Sequence, residues 1–390
     1  MTEQPSCAMI MFMKKKNVAV MYLISFFQGM VFYASISTLY RVDRGLTLSQ
    51  YALIDSLTFI MTLVMEVPWG VIADRIGYKK TLLVANGFYA LSKFIFLKAW
   101  GFWGFTLERV FFSLAVSGIS GVDNSILYLS CEPKQSQKVF SRYSAFGNGG
   151  MLVSAGLFAL LSLSHQQAAL YTLIAYVISL VLSFLLSEVR DHKESEEKAD
   201  FLAMVRETLR DGRLMLFLAG NALISVASWV VIVFINQSQY LACGGDENFI
   251  GYTFVIAVLL DFLGIYSSAI TDKLGDRRGG MVLIMGMALC AVVLSVIRNL
   301  YLSAVMIILT DVLHTLYMPL ESRLENDYVK VSDRATMLSI YMMIMDLASV
   351  IPNVAMGAVS EHSLPAAFIG CALMMTAAAV CFRRFVKPNL

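Results

Sequence analysis

Charge is what this chain is short of. Asp, Glu, Lys and Arg make up 15% of its 390 residues, against about 25% in an ordinary soluble domain. The shortage excludes a globular domain with a water-facing surface all round. Useful cysteine is missing as well. Cys7, Cys131, Cys243, Cys290, Cys371 and Cys381 are scattered with neither metal-ligand nor disulfide spacing, which excludes a zinc module and a disulfide scaffold. Most of the six fall in apolar sequence and read as small packing residues. No nucleotide-binding loop, metal-ligand cluster or nucleophile triad occurs. "GNGG" at Gly147–Gly150 lies in an apolar run with no Lys-Ser/Thr after it, so it is not a phosphate loop. No enzyme activity, cofactor or nucleic-acid partner is expected. The energy source must therefore be a gradient, or else the protein is passive.

What is present is apolar sequence in long runs. Hydrophobic residues are 58% of the chain and the mean hydropathy is +0.69. Six runs lie between Val18 and Ser187, a polar break follows, and six more lie between Leu214 and Phe385. A span takes about 20 residues, so twelve would use about 240. In lipid every backbone polar group needs an internal partner, so the runs must be helices. The alternation of a β-barrel is missing. The N-terminal run from Val18 to Tyr40 is too long for a signal peptide and reads as a retained first span.

Orientation follows from Lys and Arg. All but six of the 30 fall on one side once the N-terminus is placed in the cytoplasm. The exceptions are Arg41, Arg44, Lys98 and Arg298 outside, and Lys93 and Arg109 within spans. The expected fold is an all-α membrane protein of twelve transmembrane helices in two six-helix bundles related by pseudo-twofold symmetry. The expected segments are a first bundle (1–187), a cytoplasmic linker with an amphipathic helix (188–213) and a second bundle (214–390). Both termini are expected in the cytoplasm, and the chain as a monomer in the cell membrane.

Two short loops carry a repeat. "GVIADRIGYKK" (Gly70–Lys80) ends span 2, and "SAITDKLGDRR" (Ser268–Arg278) ends span 8. Asp74, Arg75, Gly77 and Lys79 align with Asp272, Lys273, Gly275 and Arg277. Duplicated halves are the mark of many secondary transporters. The first loop resembles the loop 2–3 signature of the major facilitator superfamily through Gly70, Asp74, Arg75, Gly77, Lys79 and Lys80. Tyr78 departs, standing where the family usually has Arg. The resemblance covers the whole chain and implies an alternating-access carrier whose loop clusters latch the two halves together. Arg109 fits an arginine that many members carry in span 4. "SGVDNSILY" and "MEVPWGVIADR" resemble a poorly characterised bacterial subgroup near the drug:proton exporters. Asn124 and Leu129 replace two acids of that pattern. Asp123 is placed to partner Arg75 or Lys79, and Glu321 to face Lys273 or Arg277.

A charge in mid-bilayer costs about 2.5–3.5 kcal/mol on insertion scales, so it is a functional suspect. Glu66, Asp261 and Asp346 are the candidates for proton coupling, with Arg109 as tuner or substrate contact. Substrate-cavity candidates are Gln28, Tyr33, Asn221, Trp229, Asn236, Asp311 and His314. The 23 methionines and 25 phenylalanines suit a soft apolar cavity. The expectation is proton-coupled efflux of small amphipathic compounds. Uptake of a sugar or organic anion, and a non-transporting sensor on the same fold, stay open.

Overall fold

The structure is a computed structural model that describes residues 7–132, 135–189, 201–329 and 334–386. Its helices, in chain order, begin with α1 (Cys7–Gly29), α2 (Ser37–Asp43), α3 (Leu48–Ile76), α4 (Tyr78–Lys98), α5 (Gly101–Ile119) and α6 (Val122–Ser130). Next come α7 (Ser136–Leu161), α8 (His165–Phe184), α9 (Phe201–Arg210), α10 (Gly212–Trp229), α11 (Asn236–Ala242) and α12 (Glu247–Leu260). The last are α13 (Ser267–Leu274), α14 (Asp276–Val296), α15 (Leu300–Tyr328), α16 (Arg334–His362) and α17 (Leu364–Phe385).

Eleven helical stretches among the described residues are long and apolar enough to cross a membrane. The predicted third span folds as α4, whose 21 residues carry Lys79, Lys80, Lys93 and Lys98 and so dilute its hydropathy. Large apolar side chains point outward, with Ile351 78% and Ile265 75% exposed. Such a surface suits lipid, not water. The chain is a multi-pass membrane protein.

The described residues pack as two compact units, Met1–Ala34 with Leu57–Glu194, and Ser35–Ser56 with Ser195–Leu390. Within the first, α1 packs on α7 and α8, and α4 on α5 and α8. Within the second, α10 packs on α16 and α17, and α14 on α15 and α17. The same pairing scheme therefore recurs in both units. Close approach is bought with missing side chains where α1 crosses α7. A Cβ on Gly150 would stand 1.9 Å from the Phe26 carbonyl oxygen, and one on Gly29 2.0 Å from that of Gly147. Small residues at such crossings replace the hydrophobic drive that lipid cannot provide.

The units divide within the linker, at 194/195, and also inside the first two spans, at 34/35 and 56/57. Residues 35–56 join the second unit through hydrogen bonds. Leu39 N donates to Gln237 Oε1 (2.9 Å), and Asn353 Nδ2 to Ser56 Oγ (2.9 Å) and the Ala52 carbonyl (3.3 Å). In the linker, α9 buries Met204 and Thr208 and exposes Arg206 and Arg210. Asp211 then caps α10 by accepting from the amides of Arg213 and Leu214.

Candidate functional site

The two repeat loops have one backbone. Gly77 starts α4 at φ 93, ψ 155, and Gly275 starts α14 at φ 73, ψ 156. Only glycine adopts that region readily. Around Gly77 the space is taken by Glu188, whose carboxylate would stand 2.8 Å from an added Cβ. Glu188 Oε1 also accepts from Lys79 N at 3.3 Å, an anion on the positive end of a helix. Gly70 has open space around it, so no helix crossing requires it. The Asp74 side chain lies outside the described residues, while Arg75 and Asp272 are exposed. Asp123 is held by Tyr143, whose hydroxyl donates to Oδ2 at 3.2 Å, and by its neighbour's amide, Asn124 N, at 2.7 Å. At the second loop Arg323 pairs with Asp276. Lys273 is exposed and Arg277 half-buried there.

In the second unit Asp261 lies beside the stretch of α15 that carries Asp311. α12 ends at Leu260, and the chain passes through a tight 3-10 turn, Asp261–Tyr266, before α13. Such a break in a long helix marks a hinge or a site. Thr315 Oγ1 on α15 donates to Asp261 Oδ1 at 2.8 Å. Asp311, one turn earlier on α15, lies within electrostatic reach of Asp261. Gly264 lets the turn approach, since an added Cβ would meet Thr315 Cγ2 at 3.0 Å. Pro319 lacks the N–H that would bond the Thr315 carbonyl, and Ser267 Oγ donates to the next carbonyl, Leu316 O, at 2.6 Å. His314 is half-buried on the same stretch of α15. Asp346 sits half-buried in α16 of this unit. Glu66, also half-buried, lies on α3 in the first unit, so the predicted acids divide between the two.

The first unit holds a buried cation that sequence reasoning did not single out as a site. Lys93 is 4% exposed and donates to Tyr33 Oη at 3.0 Å. The rings of Tyr33, Tyr89, Phe112 and Tyr176 surround its Nζ at 4.9–5.7 Å, where ring faces attract cations. Beside it Arg109 Nε stands 3.4 Å from Glu108 Oε2 and its guanidinium lies over Phe112. Glu108 was missed, although an acid directly before Arg109 in an apolar run was the available signal. Gln28 Nε2 donates to Asn86 Oδ1 at 2.7 Å, and Asn86 to Ser183 Oγ at 2.6 Å, which ties α1, α4 and α8.

The remaining cavity candidates have structural partners. Trp229 stacks on Phe234 and meets Tyr51 edge-on. Asn236 accepts from the amide of Gln237. Asn221 Oδ1 accepts from Tyr317 Oη at 2.8 Å. α10 does not run on to Asn236. It passes through a π-helical turn, Val230–Phe234, much as the first span breaks between Gly29 and Ala34. The leading helix of each repeat is thus discontinuous, a feature of transporter folds.

The sequence profile of the Major Facilitator Superfamily matches residues 18–309 and 219–389. The chain belongs to that superfamily. It is similar to the multidrug resistance protein MdtG of Rahnella sp. (strain Y9602), with 25% identity over 294 residues, 72% of this chain and 70% of the relative. Its fold matches the nucleoside transporter NupG at TM-score 0.78 and 14% identity, covering 97% of this chain and all of that one. It also matches a bacterial homolog of the human lysosomal transporter Spinster, in an inward-facing and unoccupied conformation, at TM-score 0.67 and 15% identity over 99% of this chain. Superfamily and fold together make this chain a membrane transporter, not an enzyme.

Proposed function

We propose that the protein is a proton-coupled exporter of small amphipathic compounds, working by alternating access, with Asp261 and Asp311 as the coupling pair. The observation that carries this reading is the hydrogen bond from Thr315 to Asp261 at the broken helix, one turn along α15 from Asp311. Two carboxylates held close in low dielectric do not both ionise, so one keeps a proton. When the site opens to the inner face, the acid releases that proton as a carboxylate. When it opens outward, the carboxylate takes one up as substrate leaves. The protein thus needs no bound cofactor, only a proton gradient. Glu66 and Asp346 are supporting acids, and Arg109, paired with Glu108, steadies the charge in the first unit. Likeness to a multidrug resistance protein favours export of amphipathic substrates. In this reading the chain is a monomer in the cell membrane with both termini cytoplasmic, and the loops at Gly77 and Gly275 latch its two halves.

The test is reconstitution in liposomes with an imposed pH gradient, scored with ethidium, a cationic antibiotic and a sugar. Ethidium movement that collapses with a protonophore supports the proposal. D261N and D311N should each cut that movement at least tenfold. Sugar movement with no dye movement favours uptake of a nutrient, and no movement of any probe under either gradient polarity refutes a coupled carrier.

A further inference from the structure

The ring cage around Lys93 has no part in the chemistry at Asp261. Tyr33 follows the break after α1, Tyr89 and Lys93 stand one turn apart on α4, Phe112 lies on α5 and Tyr176 on α8. All belong to the first unit. The four rings surround Nζ at 4.9–5.7 Å. They also fix one another. Tyr89 meets Phe112 and Tyr176 edge-on, with centroids 5.5 and 4.6 Å apart. Tyr33 stacks on Phe96 at 4.1 Å, and the Tyr176 hydroxyl donates to the Gln28 carbonyl at 2.8 Å. Packing and hydrogen bonds thus hold the cage in shape, whichever cation fills it.

A second observation, independent of the rings, points to a further cation. Glu108 stands one helical turn before Phe112, on the face of α5 that carries that ring. It is 1% exposed, and neither of its carboxylate oxygens has a hydrogen-bond partner. Its ion-pair partner among the described residues is its chain neighbour Arg109, at 3.4 Å, whose guanidinium lies 5.0 Å from the centre of the same Phe112 ring. Buried acceptors left open are costly, and a purely structural pair would close them. Here they stay open beside a caged ammonium on a flexible four-carbon stem. Tyr89, Phe112 and Arg109 are half-buried, so the cage is reachable from their side.

We infer that the cage is a binding site for organic monocations, quaternary ammonium compounds above all, and that Lys93 is its tethered occupant. An arriving cation takes the ring faces, and the Lys93 ammonium passes to Glu108, whose two oxygens can serve Arg109 and Lys93 together. Ring faces attract a cation through its charge alone, so they accept a quaternary centre that has no N–H to donate. Lys93 is then an internal competitor that fills the cage when no ligand is present and sets the affinity when one is. The binding claim stands apart from the exporter reading, whereas the claim that the bound cation is cargo rests on it.

Two measurements separate the two claims. The first is isothermal titration calorimetry of the purified protein in detergent, with benzyltrimethylammonium as probe and N,N-dimethylbenzamide as a neutral control of similar size. The cation should bind at least tenfold more tightly than the amide, and equal affinities overturn the inference. Lys93→Met removes the competitor and should tighten cation binding at least fivefold. Loss of binding in folded K93M overturns it. Phe112→Leu and Glu108→Gln should each weaken the cation at least fivefold. Unchanged affinity in F112L overturns the cage, and that variant serves if K93M does not fold. In the K93M background E108Q should change affinity less than twofold, because no ammonium then needs the carboxylate. A full fivefold loss there refutes the exchange. The second measurement is pH-driven ethidium movement in liposomes, which F112L should cut at least fivefold. Weakened binding with unchanged movement refutes the cargo role. Cation binding with no movement of ethidium in any variant sinks the exporter reading alone.

Discussion

At Gly77 a single missing side chain decides how a helix begins. The backbone sits at φ 93 and the Glu188 carboxylate fills the space where a Cβ would be. Gly77→Ala should cost about 1–3 kcal/mol from the strained backbone, with more from displacing Glu188. The measurement is thermal unfolding in detergent, and an unchanged midpoint would count against the capping role of Glu188. Thr315 offers a second test at this scale. Its hydroxyl bonds a carboxylate, and such a bond to a charged group is worth about 1.5–3 kcal/mol. Thr315→Val should therefore lower pH-driven transport roughly tenfold, at 1.4 kcal/mol per decade, while protein yield and exchange stay near wild type. The glycines were legible in sequence because a turn is a local event, repeated at matching positions. Lys93 was legible only as a charge in a span. Its ring cage comes from α4, α5, α8 and the break after α1, which no local pattern could assemble.

At the scale of the helix, breaks matter more than the runs. Hydropathy predicts continuous spans, yet the first span, α5–α6, α10–α11 and α12–α13 are each interrupted. Interruptions cost hydrogen bonds and survive in membranes only where protein or a cavity satisfies the freed groups. The 3-10 turn at Asp261 is held to α15 through Gly264 and Ser267. Gly264→Val should push the turn off Thr315 and cut gradient-driven movement at least tenfold, with exchange falling too because the hinge itself is displaced. The crossing of α1 and α7 behaves differently. Gly150→Leu would drive a side chain into the Phe26 carbonyl, so folded protein should be lost altogether, read as absence of a monodisperse peak in size-exclusion chromatography.

For the whole molecule, the basic residues make a prediction about sides. Reporter fusions after Asp43 should be active outside the membrane, and fusions after Gly77 or Gly275 active only inside. A reporter after Gly77 that worked outside would overturn the orientation. The pairing scheme shared by the two units has the same origin as the loops, a duplicated six-helix sequence. What the duplication hides is the docking of residues 35–56 on the second unit, where Gln237 and Asn353 take backbone groups of the first two spans. Side-chain amides that bond backbone groups leave no periodic trace in a sequence.

Sequence alone determined the number of spans, their helical nature, the repeat and the superfamily, because lipid allows few solutions and glycine turns are local. Tertiary structure alone decided what surrounds the charged groups in the spans: Thr315 beside Asp261, and the rings of Tyr33, Phe112 and Tyr176 around Lys93. The reason is electrostatic. What a charge does in low dielectric depends on neighbours within a few ångströms, and here those neighbours come mostly from helices far away along the chain.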